Sequence, residues 1–199
     1  MKKYLFVLIL FIFFAIDSGN SKEYRVKTGL QTNTWNNLLE SFINRDMHLT
    51  YEPESNSLTW YVNSIAISLK DTVRVTLLDY IQKYKKWNIQ ASQKNVTLDK
   101  EIGDLPLTTV YFNYANDFGT DHSVKIHVKF FSQSTQRHQL VIYFDKLTST
   151  YDEYFTNRPD DLYFWWDDVT SFEKAISDQA VKKYIYEVNK KKNIEKEFK

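Results

Sequence analysis

Residues 124–145 read VKIHVKFFSQSTQRHQLVIYFD, and this stretch carries the clearest structural pattern in the chain. Over residues 124–131 mostly apolar and polar side chains alternate, and residues 140–145 repeat a similar alternation. A period of two is typical of a strand that buries one face and exposes the other. Residues 133–137 between the two segments are mainly polar. The stretch therefore predicts two antiparallel strands joined by a short loop.

The register of these two strands follows from their side chains. One alignment places large apolar residues opposite each other along the whole pair. The aligned residues are then Ile126 with Phe144, Val128 with Ile142, and Phe130 with Leu140. The same alignment brings Lys125 opposite Asp145 on the other face, and cross-strand pairs of opposite charge are favourable. Because burial and charge select the same alignment, we predict this register.

Three further segments complete the expected sheet. Residues 109–114 alternate in the same way, and we expect them to form a three-stranded meander with the first two strands, joined by a loop at 116–121. Upstream, residues 47–52 and 58–69 flank the turn-forming segment 53–57, which predicts a hairpin. The fold class is therefore α+β, with an antiparallel sheet of about five strands packed against helices.

Two amphipathic helices are expected to cover this sheet. A long inserted helix begins at Asp71, which is a good N-cap, and is predicted to extend as far as Ile102, where Gly103 stops it. A C-terminal helix begins after residues 170–173, which have the form of a capping box, and carries an apolar stripe to Val188.

Two segments near the chain ends lack a strand pattern. Residues 22–32 show no periodicity and are predicted to form a mobile leader, and residues 193–199 are predicted to fray. Thr34 is predicted to cap a short helix, because apolar residues then recur at helical spacing. These residues are Trp35, Leu38, Leu39, Phe42 and Ile43.

The first 21 residues predict a secretory signal peptide. Two lysines precede an uncharged apolar run at residues 4–16, which is shorter than the roughly 20 residues that a membrane-spanning helix needs. Gly19 and Ser21 fit the small-residue positions of a cleavage site. We therefore expect residues 22–199 to form one exported domain without a transmembrane anchor, located in a periplasm, at a cell surface or in the medium. The alternatives are a retained N-terminal anchor and a buried strand.

The composition excludes several classes of protein. The chain has no cysteine, so it has no disulfide framework, no lipid-attached N-terminal cysteine and no thiolate chemistry. The net charge of +1 argues against a nucleic-acid-binding surface. Hydrophobic residues make up 43% and aromatic residues 17% of the chain, which is enough apolar material for one substantial core.

Residues 160–168 read DDLYFWWDD and contain the candidate binding residues. If the segment is a strand, Phe164 and Trp166 point into the core. Tyr163 and Trp165 then face outward, where aromatic rings beside carboxylates suit either a glycan or a protein partner. The alternative is that both sides are buried and the segment is simply core.

The exposed face of the predicted meander holds candidate catalytic residues. The register places Thr109, His127 and Tyr143 in one row, with Tyr111, Lys125 and Asp145 beside it. His127, Tyr143 and Asp145 could perform the acid–base steps of a hydrolase. Polar side chains are equally expected on the solvent face of an antiparallel sheet without any function, and no nucleophile is recognised.

Metal and cofactor signals are weak. Asp117, Asp121 and His122 could converge on a metal from one loop, but aspartates in turns ordinarily bond their own backbone. We predict no metal site, and the absence of phosphate-binding or dinucleotide motifs predicts no cofactor.

The favoured function is an exported, non-enzymatic binding domain that acts on a protein or glycan partner through an aromatic edge or an open sheet face. One alternative is an exported hydrolase that uses His127 with Tyr143, or the 117–122 loop. Another is a structural accessory protein of the cell envelope that docks through an uncovered edge strand. The sequence does not determine the oligomeric state.

Overall fold

A computed structural model describes residues 23–114 and 117–197 of the chain. The strands of this part are β1 (Tyr24–Asn36), β2 (Ser41–Glu52), β3 (Ser57–Val62), β4 (Ile65–Leu69), β5 (Asp99–Asp104), β6 (Thr108–Tyr114), β7 (Asp117–Val124), β8 (Ile126–Ser134), β9 (Arg137–Phe144), β10 (Leu147–Thr148), β11 (Thr156–Asn157) and β12 (Leu162–Phe164). The helices are α1 (Asp71–Lys94), α2 (Trp166–Ile176) and α3 (Asp178–Glu197). The predicted signal peptide and its cleavage site lie outside the described residues.

Ten strands form one antiparallel sheet that curls into a half-barrel. Their order across the sheet is β5-β8-β9-β12-β1-β2-β3-β4-β6-β7, and β10 pairs separately with β11. The α+β class is correct in broad terms, but the prediction of a sheet of about five strands is wrong. The strands that were not predicted lie mainly in segments that the sequence pattern assigned to a leader, a loop or a helix.

The region read as a mobile leader and a short helix is the β1–β2 hairpin. Trp35 and Phe42 are cross-strand partners, and the two leucines between them lie in the turn at residues 37–40. A four-residue turn between two strands reproduces the three- and four-residue spacing of a helix. Because of this coincidence, the spacing of the apolar residues predicted a helix where the chain forms a hairpin.

The long helix α1 ends at Lys94 rather than at Ile102. Asn95 adopts a left-handed conformation with φ of 53°, and the N–H of Val96 bonds to the carbonyl of Ala91 at 3.1 Å, which closes the helix. The following strand β5 carries charged residues before and after Ile102. Its apolar and polar side chains do not alternate, so the sequence pattern did not reveal a strand. Gly103 lies within this strand and does not end the helix. Glycine is needed there because a Cβ would lie 2.5 Å from the Tyr80 hydroxyl oxygen.

The predicted register of the β8–β9 pair is confirmed. Val128 pairs with Ile142, and the flanking apolar pairs align as expected. The meander is wrong, however, because β6 pairs with β4 and β7, while β5 takes the place beside β8. The segment read as a loop at 116–121 contributes residues 117–121 to β7.

The core lies between the sheet and the two helices α1 and α2. Trp60, Phe164 and Phe172 are fully buried there, with ring centroids 4.7–5.9 Å apart. The predicted C-terminal helix is two helices, which separate at Ser177. The capping box predicted at residues 170–173 is also wrong. Helix α2 begins at Trp166, and the Thr170 hydroxyl bonds to the Trp166 carbonyl inside the helix at 2.8 Å.

Candidate functional site

The short strand β12 places the aromatic segment in the middle of the sheet. It pairs with β9 on one side and with β1 on the other. Leu162 and Phe164 face the core and are fully buried, whereas Tyr163 lies on the outer face and is half-buried. The predicted alternation therefore holds over residues 162–164.

The alternation stops at Trp165, because the chain turns there from strand into helix. The Trp165 backbone N–H donates to the Asp168 carboxylate at 3.2 Å, which satisfies one of the unpaired amides at the start of α2. Trp166 is consequently the first helical residue and is 39% exposed. It packs beside α1, with the Lys85 ammonium 5.7 Å from its ring centroid. The prediction that Trp166 anchors the core is wrong.

Four rings form what we call the outer aromatic surface: Trp35, Phe42, Tyr163 and Trp165. Phe42 lies at its centre, with centroid distances of 5.1 Å to Trp35, 5.0 Å to Tyr163 and 5.7 Å to Trp165. All three contacts are edge-to-face, the geometry that aromatic quadrupoles favour. Trp35 is 42% exposed, and the other three rings are half-buried. Tyr163 and Trp165, the predicted binding residues, are thus brought together.

Two side chains on the outer face of β9 are buried under the outer aromatic surface. In a sheet with one face open to solvent they would be exposed. Val141 is the cross-strand partner of Tyr163 and is fully buried. Gln139, on the same face of β9, is also fully buried, and neither polar atom of its amide has a hydrogen-bond partner among the described residues. The Arg137 guanidinium lies 5.2 Å from the Trp165 ring centroid and covers that ring. Trp35 is therefore the most accessible ring of the four.

A row of polar side chains, the amide row, lies beside Trp35 on β1 and β2: Gln31, Asn33, Asn44 and Asp46. Asn33 pairs with Asn44 and Gln31 pairs with Asp46 across the two strands. These side chains share the face of Trp35, because residues two apart on a strand point the same way. The Asn44 amide donates to the Gln31 carbonyl oxygen at 2.7 Å, and the Gln31 amide donates to Asp46 at 3.5 Å.

The turn of the β1–β2 hairpin, residues 37–40, projects apolar side chains into solvent. Leu38 is 94% exposed and Leu39 is 66% exposed. The Asn36 side-chain oxygen Oδ1 accepts hydrogen bonds from both leucine backbone amides, each at 2.9 Å, and Glu40 has a positive φ of 45°. The turn therefore has a defined conformation.

The predicted His127 cluster exists with partly different members. His127 and Tyr143 are cross-strand partners, and their rings stack at 4.6 Å. Thr109 and Tyr111 are not part of it, since β6 lies elsewhere in the sheet. Strand β5 instead supplies Asp104 and Glu101.

The ring nitrogens of His127 connect two carboxylates. Nδ1 lies 2.7 Å from Asp104, and Nε2 lies 3.3 Å from Asp145. Lys125 forms its ion pair with Asp104 at 2.8 Å rather than with Asp145, its predicted partner. The Tyr143 hydroxyl donates to Glu101 at 3.0 Å.

The electrostatics of this cluster suit an ion-pair network. Hydrogen bonds from Lys125 and His127 lower the pKa of Asp104, and the hydrogen bond to Asp104 raises the pKa of Lys125. Burial, followed by the bond to Glu101, raises the pKa of Tyr143 to about 12. At neutral pH Asp104 and Lys125 are therefore charged and Tyr143 is neutral. These are the charge states of an ion pair beside a neutral hydrogen-bond donor.

An open groove of about 480 Å³ borders the cluster but does not contain His127. Its lining residues are Phe144, Asp145, Lys146, Thr156, Asn157 and Arg158. A hydrolase that uses His127 would need the imidazole to face a substrate there. The structure brings His127, Tyr143 and Asp145 together without placing all three at the groove.

The candidate metal ligands in β7 are engaged in other bonds. The Asp121 carboxylate accepts from the backbone amides of Ser123 at 3.0 Å and Thr148 at 3.1 Å. The His122 ring nitrogen lies 3.3 Å from the Thr109 hydroxyl. Within residues 23–114 and 117–197, no three His, Asp or Glu side chains are grouped so that they could hold a metal ion.

Comparisons with known proteins found no match to a family model, to a curated protein or to a solved structure. In the described part of the chain, no helix is both long and apolar enough to cross a membrane. Any assignment of function therefore rests on the site itself.

Sequence reasoning missed Trp35, Phe42, Arg137 and the amide row. A usable signal existed in residues 31–36, where Gln31, Asn33 and Trp35 alternate with Thr32 and Thr34. The helical spacing of the apolar residues that follow concealed it.

Proposed function

We propose that this protein is an exported, non-enzymatic binding domain whose ligand contacts the outer aromatic surface. The observation that carries the proposal is the assembly of four rings from β1, β2 and the β12–α2 segment on the face opposite the core. Rigid aromatic side chains provide a large contact area at low entropic cost, which is why they are enriched in binding sites.

The position of the surface also favours binding. Strand β12 pairs with β9 and with β1, and β1 and β2 pair with each other as far as Asn36 and Ser41, so every ring of the surface lies on or directly beside a paired strand. A site built on such strands keeps its geometry better than one built on loops. Trp35 remains 42% exposed even though Phe42 packs against it, so a ligand can reach one side of a ring that is already held in place.

The sheet edges offer less support for docking through an unpaired strand. On β5, the Tyr80 hydroxyl donates to the Asp104 carbonyl at 2.9 Å, and Lys83 donates to the Ile102 carbonyl at 3.0 Å. On β7, the backbone amide of Thr150 donates to the Thr120 carbonyl at 2.7 Å. Covered and charged edges resist strand addition, so the aromatic face is the better candidate for the partner site.

Export is the part of the proposal that rests on sequence alone. The basic start, short apolar run and small residues within positions 1–21 support secretion, and the cysteine-free composition is compatible with it. N-terminal sequencing of protein from the source cells should give a chain that begins near Lys22. An intact Met1 on exported protein would contradict the cleavage.

A matched pair of tryptophan variants tests the binding surface. Trp35 and Trp166 are similarly exposed, at 42% and 39%, but only Trp35 belongs to the outer aromatic surface. Binding of the purified protein to washed cell-surface material from the source cells is measured by co-sedimentation, and folding of each variant by its urea unfolding curve. We expect Trp35→Ala to weaken binding about tenfold or more, as loss of a hot-spot residue does. Trp166→Ala should leave binding unchanged. Equal effects of both variants would overturn the proposal.

A further inference from the structure

The side chains around Trp35 define the chemistry of a ligand. On the face of β1 and β2 that carries Trp35, the amide row presents three carboxamides and one carboxylate. Within the hairpin, Arg45 donates its Nε–H to the Thr34 hydroxyl at 3.2 Å, and Thr34 is buried on the other face. The side chains beside Trp35 therefore offer hydrogen bonds and one negative charge, and the positive charge of the outer aromatic surface is that of Arg137, which lies 5.2 Å from the Trp165 ring centroid.

The amide row is orientated before any ligand arrives. Asn44 uses one amide N–H on the Gln31 carbonyl, and Gln31 uses one N–H on Asp46. Each carboxamide has two N–H donors and a carbonyl with two lone pairs, and a carboxylate accepts at two oxygens. Because Gln31, Asn44 and Asp46 are exposed, their remaining donors and acceptors are open to solvent.

This combination matches a sugar ring. A pyranose has an apolar face of C–H groups, which can lie on an indole, and a rim of hydroxyl groups, each of which both donates and accepts a hydrogen bond. The exposed part of Trp35 can take the apolar face, while the amide row bonds adjacent hydroxyls. The amide row contains a carboxylate and no cation, which matches an uncharged ligand rather than a phosphorylated or sulfated one.

A protein partner fits this part of the surface less well. An apolar protein surface laid over Trp35 would also cover the amide row, and burying polar groups without partners is costly. A polyhydroxylated ligand satisfies those groups instead of desolvating them.

We propose that the ligand is a neutral carbohydrate that stacks a pyranose ring on Trp35 and bonds its hydroxyls to Gln31, Asn44 and Asp46. This proposal rests on the proposed function, since it assigns a ligand class to the same surface.

The probes are neutral hexasaccharides of glucose, N-acetylglucosamine, mannose and xylose, with a sulfated heparin hexasaccharide and a hexuronate hexasaccharide as charged comparisons. Binding is followed by calorimetry and by the indole N–H signals of the five tryptophans in an NMR spectrum. We expect at least one neutral probe to bind and to shift the Trp35 indole signal, while the charged probes bind more weakly.

Variants then locate the site. Trp35→Ala should weaken binding of the responding sugar at least about tenfold, and Asn44→Ala should weaken it several-fold. Trp166→Ala is the matched aromatic control and Asn113→Ala is an exposed amide control on β6; both should bind as the unchanged protein does. Sugar binding that survives Trp35→Ala, or that the control variants impair equally, would overturn the assignment.

Failure of the carbohydrate assignment is distinguishable from failure of the proposed function. If none of the four neutral sugars binds at about 10 mM, about ten times a Kd of 1 mM, the carbohydrate assignment fails. If cell-surface material still binds in a Trp35-dependent way, the binding surface stands and its ligand is not a neutral carbohydrate. If that binding does not depend on Trp35, both proposals fail.

Discussion

Two tryptophans illustrate how environment, and not exposure, determines the role of a residue. Trp35 and Trp166 have nearly the same exposed fraction, 42% and 39%. Trp166 starts a helix and packs against Tyr84 and Lys85 of α1. Its exposed part is the part of the ring that this contact leaves uncovered. Trp35 lies on the solvent face of a strand and packs against Phe42. Only the arrangement of Trp35 leaves one side of the ring open to a ligand.

His138 is a second residue whose surroundings have a measurable consequence. Its ring is buried against Phe130 at 5.2 Å, and Nδ1 lies 2.8 Å from the Ser132 hydroxyl. Burial lowers the pKa of His138 below its ordinary value of 6.5. As the pH falls below about 6.5, the unfolded chain takes up a proton before the folded one does. Stability from the neutral imidazole is therefore fully present above that pH and is lost below it.

We predict that the free energy of unfolding decreases between pH 7 and pH 5 and that His138→Gln makes this decrease smaller. Urea unfolding curves at several pH values provide the measurement. Some decrease should remain in the variant, because burial also lowers the pKa of His48. An unchanged pH dependence in His138→Gln would show that the imidazole titrates alike in both states.

At the scale of elements, the β8–β9 pair shows what a local pattern can and cannot predict. The register was predictable because the alternation on each strand and the turn between them are both visible within one continuous stretch. The neighbour on the other side of β8 was not predictable. Strand β5 is short and charged, and its pairing with β8 contains a register shift between Glu101 and Gly103. It nevertheless provides Asp104, the true partner of Lys125.

A double-mutant cycle separates the two candidate partners of Lys125. We expect Lys125→Ala and Asp104→Ala to be coupled in their effect on stability, because their charges are 2.8 Å apart in the structure. Lys125→Ala and Asp145→Ala should show a smaller coupling. The larger coupling should decrease towards zero at about 1 M salt, where surface charges are strongly screened. A larger coupling with Asp145 would contradict the position of β5 beside β8.

At the scale of the whole molecule, one buried cation joins the helices. Arg74 of α1 is nearly inaccessible and donates to the Ile176 carbonyl at 3.0 Å. It also forms ion pairs with Asp71 at 3.0 Å and with Asp178 at 2.7 Å. The start of α1 is thereby attached to the junction of α2 and α3.

Removing that side chain should destabilise the fold. We expect Arg74→Ala to lower the free energy of unfolding by about 1.5–3 kcal/mol for the loss of charged hydrogen bonds and an unpaired carbonyl. Arg25→Ala is the control, since Arg25 is exposed and should change stability by less than about 0.5 kcal/mol. Urea unfolding of both variants gives the comparison. Equal, small effects would mean that the junction is held by apolar packing alone.

The sequence by itself determined those features that depend on neighbours along the chain. It predicted the α+β class, the β8–β9 register, the start of α1 at Asp71 and the inward direction of Phe164. Each of these follows from a period of two or a helical stripe, which operate over a few residues. The capping prediction for Asp71 is wrong, because Lys70 is the N-cap and Asp71 is the first helical residue.

Only the tertiary structure decided which strands are adjacent. A period of two identifies the buried face of a strand but not the strand that pairs with it. The placement of β12 between β9 and β1 brings Tyr163 opposite Asn33, 130 residues earlier in the chain, and so assembles the outer aromatic surface. Long-range pairing of this kind depends on the combined packing of ten strands against two helices, and no local pattern in residues 160–168 records it.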